Sequence, residues 1–390
     1  MASPSQEPTG PATDAKAHPV LRTLALLGLL YLFLVAVNGL GGGFETLGED
    51  LLDSFFAATE NPFIGLMVGI LATTLVQSSS VTTASIVGFV AAPLSPLPIA
   101  NAIPMIMGAN IGTTVTNTIA SLAHMTRKEE FRRAFAVATC HDFFNYLAVF
   151  ILLPLELFTG YLGKSAAALA GALAGLSGAD YDSPIKGAIS AGSRPIELLG
   201  GALGPTDTWS AIIQIGVSGT LIFVSLMSIV SLMRTAMRSQ VETLVSRALG
   251  KSAAVAMLVG AIATVMVQSS SITTSLMVPL AGAGVLTLRR AFPVTLGANV
   301  GTTVTALLAA MAATGANAAA GLTIALVHLL FNLTGILLIY PVEAVREVPL
   351  RMAEKLADVA VRSRSLAIFY VVAMFYMLPA LFALLNNYAG

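Results

Sequence analysis

Four consecutive polar residues, Gln77-Ser78-Ser79-Ser80, stand inside an apolar stretch (residues 65–92), and the same word returns 191 positions later as Gln268-Ser269-Ser270-Ser271. Polar groups in hydrocarbon are expensive unless they line a cavity or find partners. The surroundings repeat as well. Residues 69–87 and 260–278 are identical at 11 of 19 positions, and residues 108–116 and 297–305 at 8 of 9. His141…Asn145 aligns with His328…Asn332, and Pro154-Leu-Glu156 with Pro341-Val-Glu343. A costly feature written twice in matching contexts points to one site assembled from two related halves.

Composition identifies the medium. The chain is 56% hydrophobic and 10% charged, with mean hydropathy +0.84; ordinary soluble domains carry about 25% charged residues. About 20 apolar residues suffice to cross a bilayer, and this chain has several such runs. The formal net charge is zero, so nothing points to a nucleic-acid partner. A single cysteine, Cys140, excludes an intramolecular disulfide. The expected class is an all-α polytopic membrane protein.

Residues 1–19, rich in Pro, Ser, Thr and Ala, read as a disordered cytoplasmic tail. Repeat 1 is expected over 20–156. It begins with a span (20–40) broken by Gly41-Gly42-Gly43 and an amphipathic surface helix (44–60). A re-entrant hairpin comes after it (61–92), with the serines at its tip. Next come a span (97–123) unwound at Gly108-Ala-Asn110-Ile-Gly112-Thr113-Thr114, and a further span (131–155). Residues 157–208 are expected as an extracellular loop in which 161–176 forms an Ala-rich helix. Repeat 2 is expected over 209–343. It has a span (209–233), a basic amphipathic segment (234–250), a hairpin (251–286), a broken span (291–311) and a span (315–341). An amphipathic segment and a final span occupy 344–390. Three crossings per unit is an odd number, so the second unit lies inverted relative to the first, as in secondary transporters. Residues 41–61 hold five acidic residues and no Lys or Arg, whereas 127–133, 234–251, 289–290 and 343–364 are rich in Arg and Lys. The positive-inside rule then puts the N-terminus in the cytoplasm.

At a hairpin tip the first half-helix leaves carbonyls that favour a cation, and the second presents N–H groups that favour an anion. Serine hydroxyls serve either. The broken spans are expected to repeat the device, with Asn110 and Asn299 offering amide oxygens. Asp142 is a carboxylate in an apolar helix, which marks a functional site by default; its repeat counterpart is Leu329. His141 and His328 lack metal-ligand spacing and read as core histidines. No Lys or Arg falls in the tips or broken spans. An anion there must be held by N–H groups, hydroxyls and co-bound cations, which leaves phosphate, sulfate and dicarboxylate open.

The paired Gln-Ser-Ser-Ser words, the paired Gly-Ala-Asn-x-Gly-Thr-Thr words, Glu129-Glu-Phe-Arg-Arg-Ala-Phe135 and His141-Asp-Phe-Phe-Asn145 resemble the type II sodium-dependent inorganic phosphate cotransporters over about residues 20–343. The resemblance implies Na⁺-driven import of inorganic phosphate by alternating access, with no enzymatic activity and no cofactor beyond Na⁺ as coupling ion. It implies phosphate binding by Ser79, Ser80, Ser270, Ser271, Thr113 and Thr302. For sodium it implies Gln77, Ser78, Asn110, Thr118, Asp142, Asn145, Gln268, Ser269, Asn299 and Thr303. Asp142 matches the aspartate that separates electrogenic members from electroneutral ones. Arg127 stands where animal members carry an aspartate linked to sodium binding, and residues 156–207 contain no Asn or Cys where those members are glycosylated and disulfide-linked. The resemblance implies a bacterial-type protein of the plasma (inner) membrane, in contact with lipid; a homodimer is left open. The rivals are a passive anion channel or exporter on the same scaffold, a Na⁺-coupled symporter of another oxyanion, and an intramembrane hydrolase using Ser79 or Ser270 with His141. No Gly-x-Ser-x-Gly elbow supports the last.

Overall fold

The computed structural model describes residues 19–47, 60–92, 97–177, 184–248, 250–312 and 317–389. The expected tail apart from Pro19, and most of the expected surface helix, lie outside them; residues 44–47 of the latter belong to the first helix. Among the described residues all regular structure is helical. Among them, six helices are long and apolar enough to cross a membrane: Val20–Phe44, Lys128–Thr159, Asp207–Met237, Leu288–Met311, Ala318–Ile339 and Arg364–Phe382.

Helix α1 (Pro19–Leu47) runs straight through Gly41-Gly42-Gly43, correcting the break expected there. The glycines serve packing instead. A Cβ on Gly43 would meet Ile215 Cγ1 at 2.9 Å and the Ile215 nitrogen at 3.1 Å, on a neighbouring helix.

Two pairs of short helices coincide with the repeated words. α2 (Pro62–Val76) and α3 (Ser79–Ala91) meet at Gln77-Ser78. With 15 and 13 residues they are about 22 and 20 Å long, too short to cross the ~30 Å hydrocarbon core singly. α4 (Ile99–Gly112) and α5 (Val115–Ser121) are separated by Thr113-Thr114, both in right-handed helical conformation, so the helix stays wound through residues 108–112, where unwinding was expected, and is interrupted only at the two threonines. α6 (Lys128–Thr159) carries His141, Asp142 and Asn145.

The segment expected as a loop is mostly two helices, α7 (Tyr161–Ser177) and α8 (Pro184–Leu203). Gly160, at φ +66°, ends α6, and the Glu156 carboxylate accepts from the Leu162 N–H at 2.5 Å, capping α7. α8 is tied to α1 by Tyr31 OH donating to the Ala188 carbonyl (2.8 Å) and Asn38 Nδ2 donating to Ser193 Oγ (2.9 Å).

α9 (Asp207–Ala248) has 42 residues and continues without interruption into the basic segment expected as a separate surface helix. Neither Gly nor Pro occurs between Thr220 and Ala248 to end it. The second pair of short helices is α10 (Ala253–Val267) and α11 (Ser270–Ser275), the latter succeeded at once by α12 (Met277–Gly282).

α13 (Leu288–Ala312) corrects a second expectation: the span 291–311 is one continuous helix, not a broken one. Its glycines let it lie against α10. A Cβ on Gly297 would overlap the Met257 carbonyl, and one on Gly301 would come within 2.7 Å of Thr264 Cβ. The first half uses the same device between α2 and α4, where a Cβ on Gly108 would stand 2.9 Å from the Ile70 nitrogen. Such small-residue contacts drive helix association in lipid.

α14 (Ala318–Ile339) and the amphipathic α15 (Glu343–Arg362) complete the second half. α15 buries Leu350, Ala353, Ala357 and Ala360. Its other face holds Arg289 through Glu347 (2.6 Å) and Arg132 through Asp358 (2.5 Å). The last helix, α16 (Arg364–Val372), widens into a π turn (Ala373–Met377) before α17 (Leu378–Ala389). The buried apolar core runs through both halves, with Phe144 of α6 edge-on to Phe292 of α13 at 6.1 Å between centroids.

Candidate functional site

The two glutamines are the only non-glycine residues with positive φ among the described residues, 57° at Gln77 and 53° at Gln268. The left-handed conformation turns the chain between two half-helices. Each side chain folds back to fasten the turn. Gln77 Nε2 donates to the Thr74 carbonyl (2.6 Å), and Gln268 Nε2 donates to the Val265 carbonyl (2.7 Å). Each Oε1 accepts from a threonine just past the Gly-Ala-Asn-x-Gly word: Thr116 for Gln77 and Thr305 for Gln268, both at 3.1 Å. The carbonyls expected to face a cation are thus partly filled by the glutamine amides.

The serines divide by position. Ser78 and Ser269 are N-caps, each Oγ accepting the N–H three residues on, from Val81 and Ile272, at 3.4 Å. Ser79, Ser80 and Ser270 are buried, Ser271 is half-buried, and none of these four hydroxyls has a protein hydrogen-bond partner among the described residues. They are the uncommitted donors of the two tips. The second hairpin reaches the first half through Asn117 Nδ2, which donates to Thr274 Oγ1 at 2.6 Å.

The expected threonines are committed differently. Thr113 donates to the Ala109 carbonyl (2.9 Å), Thr302 to Ala298 (3.1 Å) and Thr303 to Val300 (2.7 Å). With the proton turned into their own helices, these hydroxyls present lone pairs outward, which suits a cation better than an oxyanion.

The asparagines form one buried network across both halves. His141 Nε2 is paired with Asn299 Oδ1 in a short hydrogen bond. Asn299 Nδ2 donates to Asn145 Oδ1 (3.0 Å), and Asn145 Nδ2 donates to the Asn110 carbonyl (2.8 Å). Asn332 Nδ2 donates to Asn110 Oδ1 at 3.1 Å. Because Asn299 donates through its nitrogen, its oxygen accepts, and His141 carries its proton on Nε2.

Asp142 is fully buried. Its Oδ2 accepts from Tyr370 OH (2.8 Å) and Thr118 Oγ1 (3.4 Å). Its Oδ1 has no partner among the described residues, nor do Asn117 Oδ1 and Asn332 Oδ1. A buried carboxylate with a free oxygen is a strong attraction for a cation. No group of three His, Cys, Asp or Glu is placed to hold a metal ion among the described residues, so a cation here would be met by one carboxylate and neutral oxygens, a hard-ligand set.

The structure therefore joins Asn110, Asn145 and Asn299 in one network, sets Thr118 beside Asp142, and gives Gln77 and Gln268 the same turn conformation and the same bonds to a carbonyl three residues back and to a threonine. It does not link Thr113, Thr302 or Thr303 to the other candidates through their hydroxyl protons. Sequence reasoning missed Thr116 and Thr305, although they close the matched stretches 108–116 and 297–305. It missed the pairing of His141, and it missed Asn332 as a network member although the repeat aligned it with Asn145. Tyr370 and Tyr376 carried no signal, since they lie outside the repeat.

Comparison with known proteins bears on the same two segments. The chain matches the model of the Na⁺/Pi-cotransporter family over residues 32–178 and 221–348, which contain one glutamine tip each. It is 33% identical over 445 residues to "Sodium-dependent phosphate transport protein 2B" of Homo sapiens, covering 92% of this chain and 64% of that one. The figures for the Pongo abelii protein of that name are the same. With "Sodium-dependent phosphate transport protein 2A" of Rattus norvegicus it shares 34% identity over 430 residues, covering 93% of this chain and 67% of that one. The chain thus spans a little under two thirds of the length of the 2B relatives, at 64%. No solved structure matches it. With both halves matched by the family model and a third of its residues shared with these relatives along almost its whole length, the chain belongs to the Na⁺/Pi-cotransporter family.

Proposed function

We propose that the protein is a secondary active transporter of the plasma membrane that imports inorganic phosphate with Na⁺, electrogenically, by alternating access. The observation that carries this is the pair of glutamine tips: the same left-handed turn twice, with uncommitted serine hydroxyls beside it, and one buried carboxylate nearby in the fold. A tetrahedral oxyanion is held by Ser79, Ser80, Ser270 and Ser271 together with the N–H groups that open α3 and α11. No basic side chain lies in either tip, so Na⁺ supplies the compensating charge. Asp142 is its charged ligand; the neutral oxygens come from Thr118 and the asparagine network. Thr113, Thr302 and Thr303, with their lone pairs outward, belong on the sodium side. Ser78, Ser269, Gln77 and Gln268 hold the tips in shape.

Na⁺ binds first, neutralises Asp142 and orders the tips, and phosphate completes the cradle. The N-terminus lies in the cytoplasm, and the two repeats are inverted, so the tips approach the midplane from opposite sides. A hydrolase is disfavoured because His141 is paired with Asn299 and not with a serine.

Purified protein in liposomes under an inward Na⁺ gradient is expected to accumulate phosphate and to ignore succinate. Uptake that persists undiminished without Na⁺ would sink symport and favour the channel. Competition by sulfate equal to that by phosphate would reassign the cargo.

A further inference from the structure

The last helix lies outside both repeats, yet it touches the site at two places. The π turn Ala373–Met377 is the only such turn among the described residues, and π turns concentrate at functional positions. It faces the first tip. Thr74 Oγ1 donates to the Phe375 carbonyl (3.1 Å), and Tyr376 OH donates to the Thr74 carbonyl (3.4 Å). Gln77 Nε2 donates to Tyr376 OH at 3.2 Å. Six residues earlier, Tyr370 OH donates to Asp142 Oδ2, and its ring packs between Phe143 and Phe375, with centroids 6.4 and 6.1 Å away. Among the described residues Gln268 has no tyrosine partner; its amide nitrogen bonds only the Val265 carbonyl.

One helix therefore holds the first glutamine tip and the buried carboxylate together, and leaves the second tip alone. We propose that Tyr370 and Tyr376 are positioning residues of the ion site. Tyr370 fixes the Asp142 carboxylate so that Oδ1 faces the ion, and Tyr376 fixes the tip beside it. The last helix thereby sets the affinity for Na⁺ without touching phosphate. This rests on the transport function proposed above.

The tests are Tyr370→Phe and Tyr376→Phe, which keep the rings and delete only the hydroxyls. In Na⁺-driven phosphate uptake, Tyr370→Phe is expected to raise the half-saturating Na⁺ concentration about tenfold, the size of one hydrogen bond to a charged group. The KM for phosphate at saturating Na⁺, and kcat, stay within about twofold. Tyr376→Phe, acting through a neutral bond, gives about threefold. In an Asp142→Gly background, Tyr370→Phe is expected to add nothing. The Na⁺-induced rise in melting temperature of the purified protein reads the same affinity without transport. Unchanged Na⁺ affinity in both variants, by uptake and by melting, overturns the inference while leaving symport intact. So does a loss of kcat alone that recurs in the Asp142→Gly background, since that is a packing defect. Absence of Na⁺-dependent uptake by the unaltered protein overturns the transport function, and the inference with it.

Discussion

Replacing each tip glutamine separately by Ala and by Gly distinguishes what the side chain holds from what the backbone endures. Gln77 makes three side-chain hydrogen bonds, to Thr74, Tyr376 and Thr116; Gln268 makes two, to Val265 and Thr305. Hydrogen bonds inside membrane proteins average about 0.6 kcal/mol each, so Gln77→Ala is expected to cost about 2 kcal/mol and Gln268→Ala about 1 kcal/mol. Alanine keeps the unfavourable left-handed conformation, at φ 57° and 53°. Glycine relieves it by about 1 kcal/mol. Gln77→Gly should therefore lose about 1 kcal/mol, and Gln268→Gly should be nearly neutral. In helix interiors Ala is better than Gly by about the same amount, so the order at these two positions is inverted. The assay is reversible unfolding in mixed micelles, with the helical signal tracked against denaturing detergent. Ala equal to or better than Gly at both tips would refute the strained-turn argument. Equal losses at Gln77 and Gln268 would refute the extra anchoring by Tyr376.

The helix contacts made by the repeated glycines should be unforgiving. Gly297→Val, which drives a side chain into the Met257 carbonyl, is expected to abolish folded, monodisperse protein in size-exclusion chromatography, whereas Gly219→Ala, with open space around it, is expected to behave as the parent. Hydrogen bonds from Arg289 hold the Glu347 carboxylate below its ordinary value of 4.5. A depressed carboxylate adds stability above its unfolded pKa and loses it as pH falls through the folded one. Melting temperature should therefore drop between pH 5 and pH 3, and the part of that drop due to this pair should vanish in Arg289→Gln. Asp142→Gly is expected to abolish net charge movement in voltage-clamped membranes while coupled uptake continues; an unchanged current would overturn the role given to Asp142.

Much of the scaffold was legible because it is written twice. The repeated glutamine word marks both tips, and both turns fall on it. The spans were readable from apolar runs of sufficient length. What misled was glycine. The glycines of both words admit a neighbouring helix and neither set unwinds, yet in sequence such glycines look like ones that permit unwinding; 108–116 and 297–305 differ at one position in nine. Their fates diverge because of the residues on their C-terminal side. After the first word come Asn117 and Thr118, which turn to Thr274 and Asp142. After the second come Ala306-Leu307-Leu308-Ala309-Ala310, strong helix formers that carry α13 onward. The helices at 161–177 and 184–203 were obscured by their Gly, Ser and Pro content, and it is tertiary contact with α1, α9 and α14 that stabilises them.

The same divergence gives the site its chemical asymmetry. Both halves supply a tip, a pair of uncommitted serines and a threonine that fastens the glutamine, so the proposed cradle for a tetrahedral anion is nearly symmetric. Every charged or tyrosine-anchored feature lies on one side. In the repeat alignment Asp142 corresponds to Leu329, and Asn117 and Thr118 to Ala306 and Leu307; among the described residues, only the first tip's glutamine bonds the last helix. A buried carboxylate can be compensated by one monovalent cation, and a second carboxylate at the symmetric position would need another within the same low-dielectric volume. In the transport proposed above, confining the charge to one half would let the anion use both tips while one ion position decides the net charge carried. The last helix, which belongs to neither repeat, is the element that makes the two halves unequal.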